Sequence, residues 1–270
     1  MEKPARFIFT LLLVAVFHVA FAHEFWLMPA KFRLEAGETV HVKLLVGEHF
    51  KGEDWGRKRE RTQEMLHFWA TGKQDLTAAA TKSDANDLMV RFAEEGTHLV
   101  IMRSKNSFIE MEAGKFNEYL KEDGIENILQ LREQKGESKK KSREFYQRNV
   151  KTLVQAGDKP DETHGKETGM PLEIIPLQNP YRLKPGDELS VKVLFGCKPL
   201  AGHAVRTWHK TGNAQTPANE GIIRTDAQGA ATFVLNAKGY WMVSLVRMVP
   251  YSDTSKADYQ SYWASLTFEL

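Results

Sequence analysis

The sequence predicts a mainly β protein, built from two antiparallel β-sandwich domains with a helical segment inserted between them. Residues 39–46 alternate between apolar and polar side chains, as a half-buried strand does. Further short apolar runs follow, separated by turns that contain Gly, Asp or Pro. In order, these runs are 65–69, 88–92, 97–103 and 108–111 in the first half, and 189–193, 203–209, 222–225, 231–235, 240–249 and 263–268 in the second.

The hydrophobic period changes between the two groups of strands. Apolar residues recur at helical spacing over 116–120, 125–132 and 145–153. Gly157 follows the third of these stretches, in the position where a helix commonly ends. Residues 157–169 have no apolar periodicity and have the composition of a loop. We therefore expect helices across 113–156, followed by a linker.

The amino terminus has the pattern of an export signal. Lys3 and Arg6 precede an apolar run over 7–17, and Ala20 and Ala22 form the small-residue pattern that signal peptidases recognise. The apolar run is shorter than the roughly 20 residues that a membrane-spanning helix needs, and no other segment approaches that length. The sequence thus predicts cleavage after Ala22, a periplasmic or secreted location, and no membrane span in the mature chain.

These patterns divide the chain into four predicted parts. They are a signal peptide (1–22), an N-terminal sandwich (23–112), a helical segment with its linker (113–169) and a C-terminal sandwich (170–270). The formal net charge is only +2, with acidic and basic residues interspersed, so nucleic acid is not expected as a partner. Cys197 is the one cysteine, which excludes an intramolecular disulfide, and its apolar neighbours predict a buried side chain.

Cleavage after Ala22 would make His23 the first residue of the mature protein. A free α-amine and an imidazole on one residue can close a chelate ring on Ni(II) or Cu(II). A second imidazole would help to complete a square-planar site, and His49, at the end of the predicted strand 39–46, is the preferred partner. His98 is the third candidate ligand, because it follows a turn at the start of a predicted strand.

The second half resembles the transthyretin-like or carboxypeptidase-regulatory-like sandwich. The matching motifs are Gly-x-x-x-Leu-x-Gly at 196–202, TDAQG at 225–229 and GYW at 239–241. The whole mature chain resembles an exported family of unknown function that is catalogued with nickel-uptake accessory proteins. That resemblance is carried by HEFWL at 23–27, VGEHF at 46–50, YLKEDG at 119–124, PLEIIP at 171–176 and WASLTF at 263–268.

The family resemblance implies nickel binding and a metal transporter as partner. Nickel-transport subunits to which the family is likened carry an early histidine behind two free backbone groups, together with a membrane anchor. Here the histidine would come first, Phe25 would be third, and no second hydrophobic span follows. The sequence therefore departs from the pattern of a direct permease component.

We therefore expect an exported, non-enzymatic protein that captures or delivers a transition metal. The chain lacks the His-Glu-x-x-His, Gly-x-Ser-x-Gly and phosphate-loop motifs of common enzyme classes. One alternative is a metal-free structural or ligand-binding protein of the cell envelope, with Trp55 exposed among charged residues as a rim aromatic. Another is a copper-dependent oxidase that uses an amino-terminal histidine.

Overall fold

The computed structural model describes residues 24–55, 60–82, 88–212 and 218–270. The strands are β1 (Glu24–Pro29), β2 (Arg33–Leu34), β3 (Thr39–Glu48), β4 (Lys51–Asp54), β5 (Thr62–Trp69), β6 (Gly72–Asp75), β7 (Leu88–Arg91), β8 (Gly96–Ser104), β9 (Ser107–Met111), β10 (Ser142–Ala156), β11 (Leu172–Pro176), β12 (Glu188–Phe195), β13 (Lys198–Pro199), β14 (Ala204–Lys210), β15 (Asn219–Arg224), β16 (Ala230–Val234), β17 (Tyr240–Pro250) and β18 (Tyr259–Glu269). The helices are α1 (Thr77–Lys82), α2 (Ala113–Glu122) and α3 (Glu126–Gln134), with 3-10 turns at Glu162–Gly165 and Pro180–Arg182.

The strands form three sheets. The central sheet has the order β15-β14-β17-β18-β10-β8-β5-β6, and β2 and β9 also pair with β10. The N-terminal sheet contains β1, β3, β4 and β7, and the C-terminal sheet contains β11, β12, β13 and β16. Most pairs are antiparallel, which confirms the predicted mainly β sandwich class. The central sheet is continuous across both halves of the chain, because β10 pairs in parallel with β18.

Residues 142–156 form strand β10, so the predicted third helix is wrong. The first two predicted helices are confirmed as α2 and α3. Residues 149–156 of β10 are covered on both faces: Val150 and Val154 pack into one apolar cluster and Leu153 into another. A strand buried on both faces loses the polar-apolar alternation, and its apolar spacing can then imitate that of a helix.

The three sheets are stacked as layers, with the central sheet in the middle. On β8, Leu99 and Ile101 pack towards the C-terminal sheet, whereas Val100 and Met102 pack towards the N-terminal sheet. Helices α2 and α3 lie on the same face as the N-terminal sheet, where Phe116, Tyr119 and Leu120 pack against side chains of β17 and β18. Within the described ranges, no helix is long and apolar enough to cross a lipid bilayer.

Strand β1 joins the N-terminal sheet to the central sheet. It pairs with β3 along one edge. On its other side, the hydroxyl of Ser265 donates to the carbonyl of Phe25 at 2.6 Å, and that of Thr267 donates to the carbonyl of Leu27 at 2.7 Å. Since buried carbonyls need a donor, these two hydroxyls of β18 allow an edge strand to be buried.

Two side chains differ from the sequence-based expectation. Trp55, predicted at an exposed rim, is buried with its ring edge-on to Phe25, at 5.0 Å between centroids. Cys197, predicted as buried, is exposed. It forms the turn between β12 and β13 with Gly196, and both residues have positive φ, at 61° and 57°. A two-residue hairpin turn points outward whatever the polarity of the residues before it.

A buried ion pair joins the central and C-terminal sheets. Lys151 Nζ on β10 lies 2.5 Å from Glu173 Oε1 on β11, and both side chains are 2% exposed. The carboxylate of Glu173 also accepts from the backbone amides of Thr168 and Gly169 and from the Thr168 hydroxyl. Glu173 therefore also accepts hydrogen bonds from two backbone amides and one hydroxyl of the segment just before β11.

We expect Lys151→Met to lower the free energy of unfolding by about 3–5 kcal/mol, because it leaves the Glu173 charge buried without its cation. Urea unfolding monitored by circular dichroism measures this. The matched control is Lys192→Met, whose side chain is 35% exposed and 3.5 Å from Glu167, and which should cost less than about 1 kcal/mol. Equal losses in the two variants would contradict the structural role given to Lys151.

Candidate functional site

A cleft lined by both apolar and charged side chains opens where β1 begins, between the N-terminal sheet, helix α2 and the central sheet. It contains about 420 Å³ of unfilled space, including its open mouth. Its lining includes Glu24, Phe25, Asp123, Arg206, Ser244, Trp263 and Ser265. The cleft is thus assembled from the first described residue of the chain, the end of a helix, and strands of the second half.

The three charged side chains of the cleft are placed by different elements. Glu24 starts β1 and lies on the same face as Trp26, which packs against Trp208 of β14. Asp123 ends α2, because Gly124 takes a φ of +66° and the amide of Ile125 returns to the carbonyl of Leu120 at 2.8 Å. Such a glycine-terminated helix end is a Schellman arrangement, and it holds Asp123 over the cleft.

The guanidinium of Arg206 is already engaged on both sides. It donates to the carboxylate of Glu220 on β15 and to the backbone carbonyl of Glu122 at the end of α2. Burial raises the pKa of Glu24 to about 7 and that of Asp123 to about 8, and Arg206 offsets only part of this effect. The cleft therefore presents one buried carboxyl group, Glu24, and one partly buried carboxyl group, Asp123, beside an arginine that is paired with Glu220.

The turn that presents His49 has an uncommon backbone. His49 and Phe50 connect β3 to β4, and both have left-handed φ values, 53° and 57°. A two-residue hairpin turn with this geometry normally contains Asn or Gly, and a bulky residue there costs of order 1–3 kcal/mol. Aromatic contacts compensate: His49 lies edge-on to Trp208 at 4.9 Å, and Phe50 edge-on to Trp26 at 5.9 Å.

His49 lies at the same end of the N-terminal sheet as the start of β1. Glu24 pairs with Gly47, two residues before His49. The ring that His49 contacts, Trp208, is two residues from Arg206 on the same face of β14, which is about 7 Å along a strand. The exposed imidazole therefore lies beside the cleft.

His98 is placed elsewhere and is fully engaged. Its ring is 1% exposed, and its Nε2–H donates to the carbonyl of Glu94 at 2.9 Å, which leaves Nδ1 to accept from His67 Nε2–H at 2.9 Å. Burial lowers the pKa of both rings, that of His67 to about 3. The pair is therefore neutral, and no nitrogen of His98 is available to a metal ion.

The strand register also separates His98 from the cleft. His98 pairs with Val154 on β10, whereas Phe25 lies level with Ser265 and hence with Val150. Four residues of strand correspond to about 13 Å, in the direction away from Glu24. The structure therefore does not bring His98 near His49.

His23 lies outside the described residues. Within the described ranges, no three His, Cys, Asp or Glu side chains lie close enough together to hold a metal ion. A complete metal site at the cleft would therefore need at least one donor from residue 23 or from a ligand.

Sequence reasoning did not select Glu24, Asp123 or Arg206. The three residues lie about a hundred positions apart in the chain, and ordinary acidic and basic residues at such spacing give no motif. The signal that could have been used is the position of Glu24, which is the second residue after the predicted cleavage site. Asp123 and Arg206 become recognisable only when α2 and β14 are placed against β1.

A further buried carboxyl group lies under α2. Glu144 on β10 is 2% exposed and accepts from the Tyr119 hydroxyl at 3.1 Å and from the Ser261 hydroxyl. Its other oxygen, Oε2, has no hydrogen-bond partner in the described structure. Burial raises the pKa of Glu144 to about 7, so the folded protein retains this proton in mildly acidic solution.

The layers and the cleft define the protein as a three-layer β-sandwich with a pocket at the start of β1. Residues 20–248 match the family described as domain of unknown function DUF4198. The chain belongs to this family. No curated protein matches the sequence.

Three solved structures illustrate how weak the structural similarities are. They are the D0-D1 domain of intimin (12% identity, 90% of this chain and 96% of that chain), a trypsin-activated alpha-2-macroglobulin from Escherichia coli (9%, 92% and 16%) and the three N-terminal domains of the bacteriophage RB49 outer capsid protein Hoc (10%, 91% and 59%). Each has a TM-score of 0.20, so none carries an argument about this protein.

The raised pKa of Glu144 predicts a pH-dependent contribution to stability. The unfolded carboxyl has an ordinary pKa of 4.5, so between about pH 4.5 and 7 the folded state binds more protons than the unfolded state. Stability from this group therefore falls as pH rises, by at most about 1.4 kcal/mol per pH unit. We expect Glu144→Gln to remove this slope.

Urea unfolding at several pH values between 4.5 and 8 tests the expectation. The difference in unfolding free energy between wild type and Glu144→Gln should shift in favour of the variant as pH rises. Glu133→Gln, on the exposed face of α3, serves as the control and should leave the slope unchanged. If the difference in unfolding free energy between wild type and Glu144→Gln stays constant over this pH range, Glu144 ionises at its ordinary pKa and the expectation is wrong.

Proposed function

We propose that the mature protein is an exported, non-enzymatic capture or delivery protein for a transition-metal ion, Ni(II) or Cu(II). In this proposal His23 supplies the α-amine and an imidazole, and His49 supplies a second imidazole. The observation that carries the proposal is the turn at His49 and Phe50. It holds an exposed imidazole in a left-handed conformation at the end of the sheet where β1 begins. Such backbone strain in a non-glycine turn is concentrated at functional positions.

The two carboxyl groups of the cleft support a cationic occupant, because their raised pKa leaves them largely protonated at neutral pH and a bound cation would favour their charged form. Glu24 and Asp123 face one space, and the arginine between them is already paired with Glu220. Residue 23 is joined to Glu24 by one peptide bond, so its Cα lies 3.8 Å from that of Glu24. An amino-terminal histidine would therefore have its donors close to these carboxylates, which accept cations as well as hydrogen bonds. The described residues fit part of a metal site, and the proposal requires residue 23 to complete it.

Export and a partner belong to the same proposal. A signal peptide that ends at Ala22 would deliver the protein to the periplasm or the exterior, where a metal transporter would receive the ion. The C-terminal sheet with β14, β17 and β18 is the part we propose as transthyretin-like. Its core contains Val191, Val243 and Leu266, which places apolar residues from both sheets in one sandwich interior.

Metal titration of the mature chain tests the proposal. Intact-mass analysis first establishes whether the chain begins at His23. We expect Ni(II) or Cu(II) to bind one site per chain, and His49→Asn to weaken binding at least tenfold. Asn is chosen because it tolerates a left-handed backbone, so the turn is retained. His41→Asn, on the neighbouring strand β3, is the matched control and should bind as the wild type does.

Two results would contradict the proposal. One is a mature chain that does not begin at His23, since the chelate then has no free amine. The other is equal affinity in wild type, His23→Ala and His49→Asn. The alternative function, a metal-free structural or ligand-binding protein of the cell envelope, would then explain these results better.

A further inference from the structure

A polar row crosses the opposite face of the central sheet, beyond the end of the C-terminal sheet. Arg247 on β17 pairs with Tyr262 on β18, and Tyr262 pairs with Gln147 on β10. Their side chains point away from the cleft, because Leu245 on β17 and Ala264 on β18 share their face and lie in the core of the C-terminal sandwich. All three are partly exposed. The row thus forms an accessible strip about two strand spacings wide.

Arg247 carries an uncompensated charge. Within the described residues, its guanidinium has no hydrogen bond or ion pair, and its Nε is buried without a partner. Burial lowers the pKa of this guanidinium, and no neighbouring carboxylate opposes the effect. A buried donor on a cation that lacks an acceptor is costly, so this position favours an anionic group from outside the chain.

The same strip has unpartnered acceptors. Within the described residues, Gln147 Oε1 has no hydrogen-bond partner, and neither has Oδ1 of Asn149, which lies on the same face of β10 but is 1% exposed. The Gln147 amide has only a 3.5 Å contact to Gln63. The partly exposed Gln147 can accept from a hydroxyl group of a ligand, which chloride or sulfate does not offer.

Aromatic rings border the row. Phe195, at the end of β12, lies edge-on to Tyr262 at 5.3 Å between centroids. Phe145 contacts Tyr251 at 5.1 Å and Phe108 at 5.5 Å, and Phe108 is 49% exposed. An exposed aromatic edge beside polar groups suits a ligand that has one apolar ring face and several hydroxyl groups.

We propose that the row of Arg247, Tyr262 and Gln147 binds a sugar acid, a ring with one carboxylate and several hydroxyl groups. The planar guanidinium of Arg247 binds the carboxylate, as arginine commonly does in a two-point contact. The ligand hydroxyls donate to Gln147 Oε1, and the ring lies against the aromatic border. This site lies on the other face of the central sheet from the cleft and does not depend on a metal.

The test is a titration of the metal-free mature chain with glucuronate, glucose and acetate, followed by ¹H–¹⁵N NMR. We expect glucuronate to shift amide resonances of β10, β17 and β18 around Gln147, Arg247 and Tyr262, with at least tenfold weaker binding for glucose and for acetate. Arg247→Gln should weaken glucuronate binding at least tenfold. The matched control is Arg224→Gln on β15, where the exposed arginine is paired with Glu126.

A second variant, Arg247→Lys, separates a loss of binding from a loss of folding. It keeps the positive charge and removes the two-point contact with the carboxylate. It should bind glucuronate more weakly than the wild type with an unchanged circular dichroism spectrum. The proposal is overturned if glucuronate shifts none of these resonances, if Arg247→Gln and Arg247→Lys bind it as the wild type does, or if acetate binds as tightly as glucuronate. A released uronic acid and a uronate-bearing polysaccharide share this chemistry, and a comparison of the monomer with an oligogalacturonate distinguishes the two sources.

Discussion

The burial of β1 determines where the cleft lies. An edge strand can leave solvent only when its second row of backbone groups finds partners, and here Ser265 and Thr267 donate to the carbonyls of Phe25 and Leu27. Both hydroxyls belong to β18, and both acceptor carbonyls belong to β1. Glu24 is consequently fixed against the central sheet, beside Arg206, and the turn at His49 is carried to the same place by the pairing of β1 with β3.

The sequence predicted much of the fold, and its main failure has a physical cause. Strands with one solvated face, such as β3 and β12, alternate visibly, and α2 and α3 show helical spacing on a polar background. Residues 149–156 of β10 are covered on both faces, so this part of the strand has no alternation to detect. Its parallel pairing with β18 involves residues more than a hundred positions apart, and the continuous central sheet could not be inferred from local pattern.

The candidate site was predictable only in part. His49 could be selected because it follows a strand, but its left-handed turn and its contact with Trp208 depend on the tertiary structure. His98 was selected on the same local reasoning, and its two hydrogen bonds show why a strand-end position alone is a weak signal. Asp123 required the glycine-terminated end of α2 to be packed over β1. Buried polar groups become informative when their partners, or the lack of them, can be counted.

We propose above that His23, as the first residue of a mature chain, shares one metal ion with His49. Pulsed electron paramagnetic resonance of the Cu(II)-loaded mature chain measures this directly, because it counts the imidazole rings that bind the metal ion. The account predicts two imidazoles in the wild type and one in His49→Asn. A single imidazole in the wild type, with a spectrum that His49→Asn leaves unchanged, would contradict it.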